Sequence, residues 1–308
     1  MGDIVSSILS NYRAAPVGVR VNIARLLTSG RLAHTGKLLI LPVDQGVEHG
    51  PIRSFSYNED AYDPLYHPNL ALEAGLSAYA APIGMIELAA DLYAHRLPLI
   101  LKLNNSNLLH PKELNGEYQA ITASVKDAVR LGCCAVGFTI YPGSPQGLYM
   151  MEEAKEIICE ANSYGLPSVI WSYPRGAGIE DGYETSIDVI SYAVHIAALM
   201  GAHIIKTKIP SSHVMDKKVN INFDLHDMSL RIRQIMKCAF SSKRIVLFSG
   251  GASKDISNIK DEILAIKKGG GSGSIIGRNT FQRPRKEAVE MLNSIIALYG
   301  SYGDVNYL

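Results

Sequence analysis

The chain has 308 residues, 47% of them hydrophobic and 19% charged, a length that suits two ordinary domains or one large α/β barrel of about 250 residues with additions. A formal net charge of +1 supplies no field for nucleic acid or an anionic membrane, and no run of about 18 apolar residues is free of charge, which argues against a spanning helix. The first residues lack a basic segment followed by an apolar one, and the four cysteines (Cys133, Cys134, Cys159, Cys238) show no CxxC spacing, so they read as reduced thiols of a cytoplasmic protein.

In chain order, residues Met1–Thr35 read as a helical N-terminal extension placed to cover the bottom of a barrel. Eight strand-like apolar runs follow: Leu38–Val43, Ser77–Ile83, Leu99–Leu103, Cys134–Ile140, Ser168–Trp171, His203–Lys206, Ile245–Phe248 and Ser274–Ile276. Helical periodicity fills the intervals, over Glu117–Arg130, Met150–Asn162, Ser186–Met200, Met228–Ala239, Ile256–Lys268 and Pro284–Leu298. Strands alternating with helices imply right-handed βαβ units and a parallel sheet. Eight of them favour closure into a (β/α)8 TIM barrel, so the expectation is a single α/β domain over residues 1–308. No GxGxxG follows the first strand, which removes the dinucleotide fingerprint. The Gly269–Gly273 run reads as a tight turn before the eighth strand rather than as a linker.

In such a barrel, chemistry belongs where strands end. Here the ends carry Asp44, Lys102, the run from Trp171 to Gly176, Lys206 with Lys208, Ser249-Gly250-Gly251, and Gly277-Arg278-Asn279. Lys206 closes an apolar strand, where burial disfavours a charged amine, and an uncharged lysine is a nucleophile for carbonyl carbon. Lys208, two residues on, shares its side of the strand. It either acts electrostatically on Lys206 or meets a phosphate, and Lys102 fits the same two roles from the third strand. Two strand-end lysines reaching back to solvent are the plainer reading of the pair. Ser249-Gly250-Gly251 and Gly277-Arg278 lie where these barrels commonly hold phosphate on backbone N–H groups, with Arg278 adding a two-pronged guanidinium. Each alone also reads as a turn. Trp171 and Tyr173 project to one side, the first to shape a sugar pocket and the second to move a proton, although either also fits as packing. Asp44 is an acid–base group or a loop-capping carboxylate. His49 beside Glu48 has no second histidine at ligand spacing, so no metal is expected.

Taken together these stretches resemble the archaeal-type class I fructose-bisphosphate aldolases, in their bacterial subgroup. The matching pieces are Leu41-Pro-Val-Asp-Gln-Gly-Val-Glu-His-Gly-Pro51, Trp171-Ser-Tyr-Pro-Arg-Gly176, Gly201-Ala-His-Ile-Ile-Lys206, Ser249-Gly-Gly251 and Gly277-Arg-Asn279. The resemblance implies reversible, metal-independent cleavage of fructose 1,6-bisphosphate into dihydroxyacetone phosphate and glyceraldehyde 3-phosphate, with no cofactor beyond a lysine imine. It implies Lys206 as the Schiff-base residue, Tyr173 and Asp44 as proton-transfer groups, and Ser249, Gly250, Gly251, Gly277 and Arg278 as phosphate loops. It also implies a homo-oligomer built on pentamers, and in some members a decamer. The chain departs from archaeal members after the sixth strand, where Ile209-Pro210-Ser211-Ser212-His213 opens a long polar loop to about His226. Related Schiff-base aldolases, transaldolase-like enzymes or thiolases on another ketose phosphate, and a non-catalytic phosphosugar-binding protein, are the competing readings.

Overall fold

A computed structural model describes residues 3–109, 116–250 and 255–300. The eight apolar runs form strands β1 (Leu38–Pro42), β2 (Ala78–Pro82), β3 (Leu99–Lys102), β4 (Ala135–Ile140), β5 (Ser168–Ser172), β6 (Ile204–Lys208), β7 (Ile245–Ser249) and β8 (Gly273–Ile275). Every strand pairs in parallel with the next, and β8 returns to β1, so the sheet closes in chain order. A helix follows each strand, which makes the (β/α)8 barrel that the alternating pattern predicts.

Closure divides each strand between two cores, because successive side chains point to opposite faces of a sheet. Leu38, Ile40, Ile100, Ala135, Val169, Ile204, Ile245 and Leu247 fill the barrel interior. Their neighbours Leu39, Leu41, Leu101, Val136, Ile170, Ile205 and Val246 pack outward beneath the helices. The same alternation places Lys102, Trp171 and Lys206, each two residues beyond an interior apolar residue, inside the barrel at its C-terminal end.

The other end is closed by the N-terminal extension, helices α1 (Ile4–Ser10) and α2 (Val17–Leu27). Asp3 caps α1, its carboxylate accepting the Val5 N–H at 3.1 Å. On α2 the buried residues Val19, Ile23, Leu26 and Leu27 form one stripe, which joins the interior cluster of the barrel. Tyr12, between the two helices, donates its hydroxyl to the His203 carbonyl at 2.7 Å and accepts the Ile245 N–H at 3.1 Å. Burial pushes this phenol up to about 12, so it remains a donor at any working pH. The C-terminal rim is left open to form a site. Among the described residues no helix is long and apolar enough to cross a membrane.

One helical expectation fails. The periodicity over Glu117–Arg130 yields a helix only at Val125–Arg130. Upstream, Ala120–Ile121 pairs with Asn104–Asn105 in a short antiparallel ribbon, with Ile121 exposed rather than buried. Ser124 then starts the helix with a reciprocal cap: its hydroxyl accepts the Asp127 N–H, and the Asp127 carboxylate accepts the Ser124 N–H. The long segment after β6 is held at both ends. Asp188 accepts the N–H groups of Met215 and Asp216, and the Arg231 guanidinium donates to the carbonyls of Pro210 and Leu225.

Replacing Tyr12 by Phe removes two interactions and strands a buried N–H at the head of β7. The expected loss is about 1–3 kcal/mol of unfolding free energy, read from urea denaturation, and an unchanged midpoint would contradict the plugging role.

Candidate active site

Lys206 stands at the centre of the open rim. Its register aligns it with Trp171 on β5 and Leu247 on β7, and it is 4% exposed. The Nζ lies 5.1 Å from the Trp171 ring centroid and 5.4 Å from that of Tyr173, and it makes no hydrogen bond to the described residues. Trp171 is held from behind by β4, where Gly137 is packed so closely that a Cβ would fall 2.2 Å from the indole Cζ3. Only glycine lets the indole lie flat there, and the indole in turn sets where the lysine stops.

The cavity above Lys206 is lined by Asp44, Tyr173, Lys208, Ser249, Gly250, Gly277 and Arg278, all singled out in the sequence. Gly251 lies outside the described residues. The β7 and β8 ends adjoin as expected. A Cβ at Gly250 would sit 3.5 Å from Asn279 Nδ2, and one at Gly277 would fall 2.8 Å from the Pro42 carbonyl oxygen. Gly277 therefore lets the loop after β8 close against the end of β1. Lys208 points the same way as Lys206 and pairs with Glu184 at 3.7 Å. Burial, reinforced by the Arg175 and Arg278 charges, holds it below the usual lysine range in spite of Glu184.

Two expected ligand-facing residues are elsewhere. Lys102 does not line the cavity. It is 2% exposed, and its three protons go to the Asn104 carbonyl, Asn104 Oδ1 and Gln119 Oε1. Trp171 likewise forms the floor beneath Lys206 rather than a wall, because the close approach of Gly137 lays the ring under the amine.

The structure adds residues that had no role in the sequence reading. Glu48 lines the cavity one helical turn after Asp44, and Arg175 enters two residues after Tyr173. The Arg175 Nη1 lies 3.5 Å from Glu48 Oε1, and its guanidinium stacks 5.3 Å from the Tyr141 centroid and 5.6 Å from that of Tyr173. His49 Nε2 is 3.8 Å from Glu48 Oε2, and burial keeps this histidine below its ordinary value although Glu48 opposes the shift. Gln119 and Thr139 also line the cavity. Glu48 and Arg175 both sit inside conspicuous stretches, so their signal was a charged residue one turn or one strand pair from an identified one. Gln119 arrives from the ribbon, and no local spacing announces it. Among the described residues, no three His, Cys, Asp or Glu side chains gather as a metal would require.

Adding one methyl group tests the stacking. Gly137→Ala drives the indole off its seat at a cost of roughly 1–3 kcal/mol in denaturation, and turnover falls roughly 100-fold because the Lys206 amine is displaced. Trp171 is the only tryptophan, so its fluorescence reports the movement directly. Unchanged emission and turnover would contradict the arrangement.

Comparison with known proteins agrees with this geometry. The family described as DeoC/LacD family aldolase matches residues 38–283, from the start of β1 to beyond β8. A protein of Chlamydia trachomatis named as a probable fructose-bisphosphate aldolase class 1 is 35% identical over 314 residues, covering 97% of this chain and 89% of the relative. The fructose-bisphosphate aldolase class 1 of Thermoproteus tenax is 35% identical over 271 residues, covering 87% of this chain and 92% of the relative. Among solved structures, an archaeal fructose-1,6-bisphosphate aldolase with its catalytic lysine covalently bound to the carbinolamine intermediate aligns at a TM-score of 0.75. It is 32% identical and covers 90% of this chain and 98% of that one. A barrel whose buried lysine faces a cavity lined by Asp44, Glu48, Arg175, Lys208 and Arg278, matched across nearly its whole length, belongs to the DeoC/LacD aldolase family.

Proposed function

We propose that this chain is a class I fructose-bisphosphate aldolase, a lyase that cleaves fructose 1,6-bisphosphate reversibly to dihydroxyacetone phosphate and glyceraldehyde 3-phosphate through an imine on Lys206. The observation that carries the reading is the setting of the Lys206 amine: buried, free of hydrogen bonds to the described residues, flanked by Trp171 and Tyr173, and open to a cavity rimmed by the loops after β7 and β8.

The chemistry follows from the groups at hand. The Lys206 nitrogen adds to the C2 ketone to give a carbinolamine. Asp44 and Tyr173 move the protons that expel water and leave an iminium. The C3–C4 bond then breaks, its electron pair passing into the iminium as an enamine, while Asp44 takes the proton of the C4 hydroxyl and the aldehyde departs. Tyr173 protonates C3 of the enamine, and water releases dihydroxyacetone phosphate and the free amine. One phosphate rests on Ser249, Gly250, Gly251, Gly277 and Arg278, which fixes the ketone over Lys206. Lys208, paired in register with Ser249, and Arg175 add further cations to the cavity and take the second phosphate. No step uses a metal or a separate cofactor. The reading extends to one barrel domain at work in the cytoplasm, in glycolysis or gluconeogenesis, as a pentamer-based homo-oligomer.

Cleavage followed in a coupled assay tests the assignment. Arg278→Met removes a charge-assisted contact and raises KM roughly 10- to 100-fold, with a smaller change in kcat. A chelator leaves the rate unchanged. Inactivation by the chelator with recovery on added zinc would overturn the imine mechanism, and an unchanged KM in Arg278→Met would move the phosphate elsewhere.

A further inference from the structure

The loops after β1 and β8 meet at the rim, and a run of hydrogen bonds behind the cavity ties them together. Arg278 opens a short helix, Arg278–Phe281, and its carbonyl accepts the Gln282 N–H at 3.2 Å. The Gln282 side chain reaches the other loop, where Nε2 donates to the Ser54 carbonyl at 2.9 Å. Ser54, 1% exposed, donates its hydroxyl in turn to the Gln45 carbonyl at 2.8 Å. Gln45 follows Asp44 directly, so three hydrogen bonds lead from the backbone of Arg278 to that of the residue beside Asp44. Asp44 and Arg278 line the cavity, and Gln282 and Ser54 do not.

Packing reinforces the bridge. The Phe55 and Phe281 rings meet edge to face with centroids 5.7 Å apart, and a Cβ at Gly46 would fall 2.9 Å from Phe55 Cε2. Asn58 Nδ2 donates to the carbonyls of Phe281 and Arg283 at 3.0 and 3.1 Å. On the cavity side a Cβ at Gly277 would fall 3.1 Å from Gln45 Nε2. Barrel closure does not require this bridge, because β8 already pairs with β1 in the sheet. Loops ordinarily tolerate freedom, and ordering a glutamine side chain costs conformational entropy. What the bridge sets is a spacing, between the loop that holds phosphate and the carboxylate that moves protons. A displacement of about 1 Å in such a spacing costs on the order of 100-fold in rate.

We propose that Gln282 and Ser54 are positioning residues: they hold the Arg278 loop and Asp44 at a fixed spacing, so that a ketone tethered by its phosphate meets the Asp44 carboxylate in register. Neither residue touches substrate. This inference rests on the aldolase reading above, in which phosphate sits on Gly277 and Arg278 and Asp44 moves the protons of imine formation and cleavage.

The test compares two ketones that differ only in the tether, dihydroxyacetone phosphate and dihydroxyacetone, by the rate at which excess borohydride fixes each on Lys206. In Gln282→Met and in Ser54→Ala the maximal rate with the phosphorylated ketone falls roughly 10- to 100-fold, and its half-saturating concentration stays within about threefold. The free ketone, which no phosphate holds in register, loses at most about threefold. The two residues act in series, so the double variant loses no more than the larger single loss, within about threefold. If Gln282→Met does not fold, Ser54→Ala, which deletes a single oxygen, carries the same comparison. Equal losses for the two ketones would leave the bridge a purely structural part. A raised half-saturating concentration at an unchanged maximal rate would make it a phosphate-binding device, and losses that multiply in the double variant would make the two residues independent. Each of these outcomes overturns the proposal. A parental chain that traps neither ketone and leaves fructose 1,6-bisphosphate intact fails the aldolase reading and this inference with it, whereas a parental chain active in both assays, with variants at its own ratio of rates, fails the bridge alone.

Discussion

The constraint on which everything else depends is the two-residue alternation of eight parallel strands that close on one another. Once β8 pairs with β1, the interior positions of every strand are fixed, and no side chain can turn out without taking its neighbours with it. The interior column of β6 runs Ile204, Lys206, Lys208, that of β5 Val169, Trp171, and that of β3 Ile100, Lys102. Apolar residues occupy the lower layers, where the N-terminal helices and the Tyr12 hydroxyl close the barrel. Polar residues occupy the top layer, where the loops begin. The site is the last layer of the core, built from residues whose register continues that of the packing beneath them.

That origin explains why the Lys206 amine is placed so firmly. Lys206 is positioned by contact rather than by hydrogen bonds: the indole of Trp171 lies below it, the Tyr173 ring stands beside it, and the absence of a side chain at Gly137 gives the indole its seat. The amine is held by ring contacts alone, with no hydrogen bond to the described residues. The contrast with Lys102 is instructive. Two lysines approach the same indole from different strands; one has three acceptors and the other none among the described residues. Position in the hydrogen-bond network, rather than residue type, separates the two.

Much of this was legible in the sequence because the strands are apolar runs with chemistry at their ends. All eight strands appear within a residue or two of their predicted limits, and Asp44, Tyr173, Lys206, Lys208, Ser249, Gly250, Gly277 and Arg278 meet around one cavity. What stayed hidden depends on long-range partners. Lys102 reads as a strand-end cation like any other, and only the ribbon that brings Gln119 beside Asn104 uses up its protons. The same ribbon defeats the helical reading of 117–121, where Tyr118 and Ile121 mimic a helical stripe while their backbone pairs with another segment. The Glu48–Arg175 contact joins the first and fifth strand ends, 127 residues apart, and no local pattern announces it.

The central claim is that Lys206 forms an imine with a phosphorylated ketone. Borohydride reduction in the presence of dihydroxyacetone phosphate, followed by peptide mapping by mass spectrometry, tests it most directly. The account predicts one stable adduct, on the peptide carrying Lys206 and at that residue. An adduct on Lys208 or Lys102 with Lys206 unmodified, or no adduct in an enzyme that cleaves the sugar, would contradict it.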